Sequence, residues 1–246
     1  MSALRFSMRF LRTLIGWPLS LLYVCGCASL IAIGGESDFS EEVLRHWARM
    51  ALRIAGARLR STHLVPLDPH QSYVFVCNHT SNLDAPALIA STKKPLRFIA
   101  KRELLFVPFF GIAGKRMGHV FVDRSDKQAA TRAIRRRIDK GLEGVALFFF
   151  AEGTRATTEA LLPFKKGAAI AALESGLDVV PVAIAGAREV LWPKGLALFR
   201  PGPVGVVYGV PIPVARYTLE TRDALVAAQR EAVEALLPAA RALVAV

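Results

Sequence analysis

Short apolar runs, each followed by polar residues, most constrain how this chain can fold. Residues 145–150 are apolar at every position, which is typical of a strand covered on both faces in a parallel sheet. The other predicted strands are residues 73–77, 96–100, 119–122, 179–184 and 204–207. Predicted helices at residues 126–140, 166–175 and 218–237 lie between or after them. This alternation predicts an α/β fold, a mostly parallel sheet covered by helices.

The N-terminal segment differs from the rest of the chain because residues 13–35 contain no charged side chain. The basic residues that precede this run are Arg5, Arg9 and Arg12. As a helix, the run would just cross the roughly 30 Å hydrocarbon core of a bilayer. A cleaved signal peptide and a helix that enters and leaves on one side are the alternatives. We favour one-sided insertion, and we therefore predict a membrane-inserting segment over residues 1–37 and one further domain over residues 38–246.

The net charge of +12, from 32 Lys and Arg against 20 Asp and Glu, indicates an anionic partner. Composition alone leaves nucleic acid, an anionic membrane surface and an anionic substrate open. A helix capped by Asp38 or Ser40 is predicted next, with apolar residues at helical spacing. The arginines between those apolar positions are Arg45, Arg49, Arg53, Arg58 and Arg60. This basic face is either solvated or lies on anionic lipid.

Two further composition features exclude classes of protein. A hydrophobic fraction of 53% excludes a disordered chain, which needs few apolar residues and a high charge density. The three cysteines have neither the even number nor the paired spacing of a disulfide framework or a zinc site. They therefore indicate a reducing compartment.

A histidine and an aspartate five residues apart follow the predicted strand 73–77. On a regular helix or strand this spacing directs the two side chains apart, so they meet only across a turn. The residues between them are turn and capping types. His79 is therefore a candidate general base, with Asp84 as the carboxylate that orients its ring. The alternative is a helix-capping Asp84 beside a hydrogen-bonded turn histidine.

A second polar cluster, Glu152, Gly153, Thr154 and Arg155, follows the predicted strand 145–150. If the two strands are parallel, both polar clusters lie at the same edge of the sheet, where α/β folds bind ligands. Gly153 lets the backbone approach a ligand closely, and Thr154 and Arg155 offer a hydroxyl and a planar guanidinium suited to phosphate. Glu152 is expected to pair with Arg155. The alternative is a surface turn with a local ion pair.

These two blocks resemble motifs of the glycerolipid acyltransferases, specifically of the bacterial 1-acylglycerol-3-phosphate acyltransferases. His79 and Asp84 match the His-x4-Asp motif of that family. Residues 150–155 match its Glu-Gly-Thr-Arg block, with one departure: Ala151 stands where the family commonly has proline. The substitution removes no chemical group from the predicted site.

Two further blocks follow the order of the same family. Residues 121–124 resemble the second motif, whose arginine would be Arg124, and residues 180–182 resemble the fourth. Lys101 lies in a stretch similar to the lysine-containing segment that the family has between its first two motifs. The resemblance extends over about residues 72–210, and four ordered blocks are far more specific than any single one.

The resemblance implies transfer of a fatty acyl group from a thioester to the sn-2 hydroxyl of lysophosphatidic acid, giving phosphatidic acid. His79 would take the hydroxyl proton, and Asp84 would fix the imidazole tautomer. The residues implied to bind the acceptor are Lys101, Arg124, Glu152, Gly153, Thr154 and Arg155. Backbone N–H groups near Gly153 or Thr154 would bind the oxyanion. Neither a metal nor another cofactor is implied, since acyl-CoA or acyl carrier protein serves as co-substrate.

The implied partners place the enzyme where two pools of substrate meet. The acceptor is a membrane lipid, whereas acyl-CoA and acyl carrier protein are cytosolic. We therefore expect the acyltransferase domain, residues 38–246, to lie at the cytoplasmic face of the inner membrane, against its anionic surface.

Three rival functions are weighed against this one. The first is a sister O-acyltransferase whose acceptor is glycerol 3-phosphate or a lyso-ornithine lipid. A nucleic-acid-binding module would explain the charge, but the basic residues adjoin apolar sequence and no nucleic-acid motif is recognised. A catalytically inactive membrane scaffold is the third, although every chemical group that the reaction needs is in the sequence.

Overall fold

The computed structural model describes residues 3–107, 109–123, 125–158, 160–192 and 199–245. Seven strands are formed by these residues: β1 Ala57–His63, β2 Tyr73–Cys77, β3 Leu96–Lys101, β4 Val120–Val122, β5 Ala146–Phe150, β6 Val179–Ala185 and β7 Gly202–Tyr208. They make one sheet in the order β1-β7-β6-β2-β5-β3-β4. The pair β6-β7 is antiparallel and the other five neighbouring pairs are parallel. The predicted α/β fold with a mostly parallel sheet is confirmed.

Helices cover both faces of this sheet. They are α1 Ala3–Gly34, α2 Asp38–Ala55, α3 Asp84–Ser91, α4 Phe110–Arg116, α5 Lys127–Asp139, α6 Gly167–Ser175, α7 Ala187–Val190 and α8 Arg222–Ala245. Alternate residues of β2 point to opposite faces, so Phe75 packs in one apolar cluster with Leu52 and Leu88 of α2 and α3. Val74 packs in the other cluster with Ala169 of α6 and Leu225 of α8.

The N-terminal helices α1 and α2 form a hairpin that packs beside the sheet. Ser37 caps α2, because its side chain accepts a hydrogen bond from the Ser40 backbone N–H at 3.3 Å. The predicted caps were therefore wrong: Asp38 is the first helical residue and Ser40 lies in the first turn. Within the described part of the chain, no helix combines the length and the apolar character needed to cross a membrane.

A buried ion pair with the sheet and a partly buried one with α5 attach this hairpin to the rest of the fold. Arg97 of β3 is 4% exposed and donates to Glu41 of α2 at 2.6 Å. Arg137 of α5 donates to Glu36, just before α2, at 2.9 Å. Since removing one partner of a buried pair leaves an uncompensated charge, these contacts strongly favour a single docking geometry for α2.

Two elements differ from the sequence-based prediction. Arg58 and Arg60 do not extend α2, because Gly56 ends the helix in a left-handed conformation and both arginines lie in β1. The last helix begins at Arg222 and does not end before Pro238 but continues to Ala245. Burial of Leu236, Leu237 and Ala240 against the sheet outweighs the hydrogen bond that the proline removes.

Candidate active site

The turn between β2 and α3 brings His79 and Asp84 into contact. The Nδ1 atom of His79 lies 2.8 Å from Oδ2 of Asp84. Asp84 is fully buried, and its Oδ2 also accepts the backbone N–H groups of Thr80 at 2.6 Å and Ser81 at 2.8 Å. The chain thus wraps around the carboxylate, which is why a spacing of five works here. With Nδ1 held, Nε2 is the imidazole atom left for a substrate hydroxyl.

Contacts to neighbouring strands hold this turn in place. The Asn78 amide both donates to and accepts from the backbone of Ile184 in β6, each at 2.9 Å. The Ser81 hydroxyl donates to the Leu191 carbonyl at 2.7 Å. The His79 ring stacks on Phe150, the last residue of β5, with 3.8 Å between ring centroids. The imidazole is therefore oriented by a carboxylate on one side and an aromatic face on another.

The Glu152 side chain is buried against the backbone of the histidine turn and does not face solvent. Its side chain is 1% exposed, and its two oxygens accept the backbone N–H groups of His79 at 2.7 Å and Leu162 at 2.9 Å. Burial raises the pKa of this carboxyl, against the lowering effect of the two N–H bonds. The pairing expected between Glu152 and Arg155 does not form, because both carboxylate oxygens bind backbone groups of other segments.

Arg155 reaches the histidine turn instead. Its guanidinium donates to the Asn82 side-chain carbonyl at 2.8 Å, so the two polar clusters meet as predicted at the carboxyl edge of the sheet. Gly153 has a φ of +73°, a conformation that L side chains rarely adopt, and Thr154 is exposed. The Gly153 N–H donates to the Phe150 carbonyl at 3.0 Å. The Gly153 N–H is therefore already used within the turn, so the Thr154 N–H is the stronger candidate donor to the oxyanion.

The other two predicted phosphate ligands stand apart from these contacts. Lys101 is the last residue of β3, at the same edge of the sheet as His79, and it is half-exposed. Within the described residues its ammonium pairs with Glu103 at 2.8 Å. Arg124 lies outside the described residues. No group of three His, Cys, Asp or Glu side chains in the described ranges is arranged to hold a metal ion.

An acyltransferase family model matches residues 56–185, slightly more than half of the chain, and the match contains both polar clusters. The chain belongs to the acyltransferase family. The resemblance inferred from the four sequence blocks is thereby confirmed at the level of the family.

Curated relatives of this acyltransferase are 1-acyl-sn-glycerol-3-phosphate acyltransferases. The protein from Chlamydomonas reinhardtii is 33% identical over 171 residues, which cover 69% of this chain and 50% of the relative. The protein from Pseudomonas aeruginosa is 31% identical over 172 residues, which cover 68% of this chain and 65% of the relative. The chain spans about half the length of several curated relatives that it matches.

A solved structure shares the fold over nearly the whole chain. The crystal structure of the 1-acyl-sn-glycerophosphate acyltransferase PlsC from Thermotoga maritima superposes with a TM-score of 0.75 at 25% identity. The superposition covers 94% of this acyltransferase and 97% of PlsC. The uncovered 6% of the chain is shorter than either N-terminal helix, so the similarity extends into both helices, which the family model does not reach.

Three residues that support the site in this acyltransferase were not singled out from the sequence. Asn78 and Asn82 were predicted only as turn residues, and Phe150 only as the end of a strand and the first residue of the matched block. Asn82 lies inside the His-x4-Asp segment, so its position next to the candidate base was the available signal. Nothing local indicated Asn78 or Phe150, because their partners Ile184 and His79 are distant in sequence.

Proposed function

We propose that this acyltransferase moves a fatty acyl group from a thioester to the sn-2 hydroxyl of 1-acylglycerol 3-phosphate, giving phosphatidic acid. The observation that carries the proposal is the buried Asp84 carboxylate, 2.8 Å from His79 Nδ1, which directs Nε2 away as a base. The family membership and the curated relatives support the same reaction class.

The reaction begins when His79 Nε2 takes the proton of the acceptor hydroxyl, as its oxygen attacks the thioester carbonyl carbon. A C–O bond forms, and the resulting oxyanion needs an N–H donor, for which Thr154 is the candidate. The C–S bond then breaks, and the thiolate leaves with the proton returned by the imidazolium. Asp84 stabilises the imidazolium throughout, and no covalent acyl-enzyme is required.

Arg155 and Lys101 supply the positive charge for the acceptor phosphate in this proposal. Arg155 is held by Asn82 beside the base, so a phosphate bound to its guanidinium would lie next to the reacting hydroxyl. Lys101 would contribute a second charge from the end of β3, and we propose the same for Arg124. Thr154 is exposed at this turn, so a ligand can reach it.

Membrane attachment by α1 completes the proposal. The exposed apolar side chains of this helix include Leu14, Ile15, Leu22, Leu30 and Ile33. Such a face favours insertion from one side of a bilayer. We propose the cytoplasmic face of the inner membrane, where the lipid acceptor meets an acyl donor carried by coenzyme A or acyl carrier protein.

One assay tests the reaction and its acceptor. The purified chain is incubated with acyl-CoA and lysophosphatidic acid, thiol release is followed, and the lipid product is identified by mass spectrometry. We expect phosphatidic acid from the wild type and none above background from His79→Ala. Parallel reactions with glycerol 3-phosphate and a lyso-ornithine lipid decide the acceptor, and faster turnover with either of these would overturn the proposed substrate.

A further inference from the structure

A group of exposed apolar side chains, separate from α1, follows β3 in the chain. Its members, here named the apolar loop, are Leu104, Phe106, Val107, Phe109 and Ile112. Phe106 is 76% exposed and Ile112 is 61% exposed. Exposed apolar groups of this size on a soluble protein commonly mark an interaction surface. The group begins three residues after Lys101, at the edge of the sheet that carries the candidate site.

The backbone holds the apolar loop in a defined shape. The Gly111 N–H donates to the Val107 carbonyl at 3.1 Å, and the Ala113 N–H donates to the Phe109 carbonyl at 2.9 Å. A Cβ atom at Gly111 would overlap the backbone of Leu105, so only glycine permits this close approach. Phe109 has a φ of +63°, which is costly for a bulky residue, yet its ring stays half-exposed. The apolar side chains are thus displayed by an ordered turn.

The apolar loop is joined to the N-terminal hairpin through α4. Ala113 and Met117 of α4 pack in one buried cluster with Ala28 and Ile31 of α1. The opposite side of α1 is apolar and exposed, with Ile33 82% exposed. This cluster connects the loop to α1 through α4, and both the loop and α1 present apolar side chains to the surroundings.

Basic residues stand at both ends of the apolar loop. Lys101 and Arg102 precede it, Lys115 and Arg116 follow it, and all four are exposed. The acidic residues in contact with this set are Glu103, which pairs with Lys101, and Asp123, which lies 3.5 Å from Arg102. An apolar centre with a cationic margin complements the acyl chains and the anionic headgroups of a lipid leaflet.

We infer that the apolar loop is a second membrane contact, inserted into an anionic leaflet beside α1. The inference rests on the proposed function, because an enzyme whose acceptor is a membrane lipid works at the leaflet surface. Insertion of the loop would hold Lys101 at the depth of the lipid headgroups, where the phosphate of the acceptor lies. A single inserted helix would leave the enzyme free to rotate about that helix. A second contact through the loop would fix this rotation.

Vesicle binding of the full chain tests this inference. Phe106→Ser and Ile112→Ser are compared with Leu64→Ser and Leu219→Ser, control sites that are 53% and 45% exposed and lie outside the loop. Binding to vesicles of phosphatidylethanolamine and phosphatidylglycerol is measured by co-sedimentation without substrate. We expect each loop variant to weaken binding about tenfold or more, since a buried aromatic or branched side chain is lost from the lipid. The controls should bind as the wild type does.

Several outcomes separate this inference from the proposed function. Loop variants that bind vesicles like the wild type would overturn it, even if the enzyme makes phosphatidic acid. A wild type that is dimeric in solution, with loop variants that are monomeric, would assign the surface to a second copy and also overturn it. Conversely, reduced vesicle binding in an enzyme that does not use lysophosphatidic acid would support the loop contact while the proposed function fails. Unchanged melting temperatures of the variants confirm that they are folded.

Discussion

The backbone N–H of His79 donates to the buried carboxylate of Glu152 at 2.7 Å, which ties the histidine turn to the turn after β5. The second oxygen of the same carboxylate accepts the Leu162 N–H at 2.9 Å. One carboxylate therefore satisfies two backbone donors from segments that are distant in sequence. Its place beneath the histidine makes Glu152 a positioning residue for the candidate base.

Glu152→Gln should reduce turnover more than it weakens acceptor binding. Glutamine keeps one oxygen for one N–H group but turns its own NH₂ toward the other, which leaves a buried donor unsatisfied at a cost of about 1–3 kcal/mol. We expect kcat to fall about tenfold or more with little change in KM for the acceptor. Steady-state kinetics measure kcat and KM separately, with Glu234→Gln on the exposed face of α8 as the control. A rise in KM alone would instead indicate direct contact with substrate.

His79→Ala should abolish acyl transfer without unfolding the chain. Loss of a general base costs about 10²–10⁴-fold in rate, and the partly exposed ring contributes less to folding than a core residue. Asp84→Asn should also be severe, because a neutral amide cannot stabilise the imidazolium, although its oxygen can still accept the Thr80 and Ser81 N–H groups. Thiol release and thermal unfolding are measured together. Turnover near the wild-type rate in His79→Ala would contradict the mechanism.

Arg155→Ala and Lys101→Ala should impair use of a phosphorylated acceptor selectively. A charge-assisted phosphate contact contributes about 1.5–3 kcal/mol, so kcat/KM for lysophosphatidic acid should fall about tenfold to a hundredfold. Monoacylglycerol, which lacks the phosphate, should be affected much less. Arg230→Ala on α8 is the matched control for loss of a surface arginine. Equal losses with both acceptors would assign Arg155 a structural role through Asn82.

Acid should destabilise this protein partly through His119. Burial, together with Arg97 and Arg137, lowers the pKa of His119 to about 3 in the native state. The same imidazole titrates near 6.5 in the unfolded chain. Between these values the unfolded state binds a proton that the native state does not, so the free energy of unfolding falls as the pH decreases. The contribution of this residue is up to about 1.4 kcal/mol per pH unit.

Removal of the His119 imidazole should flatten that dependence. Chemical denaturation of His119→Phe at several pH values between about 6.5 and 3 should give a smaller slope than the wild type. His70 is exposed, so His70→Phe should leave the slope unchanged. Equal slopes for His119→Phe and the wild type would show that the native His119 takes up its proton normally.

Local sequence patterns were sufficient to predict most of the strands and helices of the fold. Residues 73–77 and 145–150 were predicted as buried strands because every side chain there is apolar, and the structure has β2 and β5 at those places. The helix at residues 126–140 was predicted with either Ser125 or Asp126 as its cap, and Asp126 is the observed cap. The β1 strand was missed, because Arg58 and Arg60 were assigned to the basic face of the preceding helix and the partner strand β7 is far along the chain.

For the site, the sequence by itself determined which chemical groups are present and that His79 and Asp84 could meet only across a turn. The tertiary structure decided where the remaining groups point. Glu152 binds the histidine turn rather than Arg155, and Arg155 binds Asn82, because strand pairing brings β2 and β5 side by side and places both turns at one edge. Contacts between residues more than 70 positions apart depend on this register of the sheet. Local composition carries no information about it.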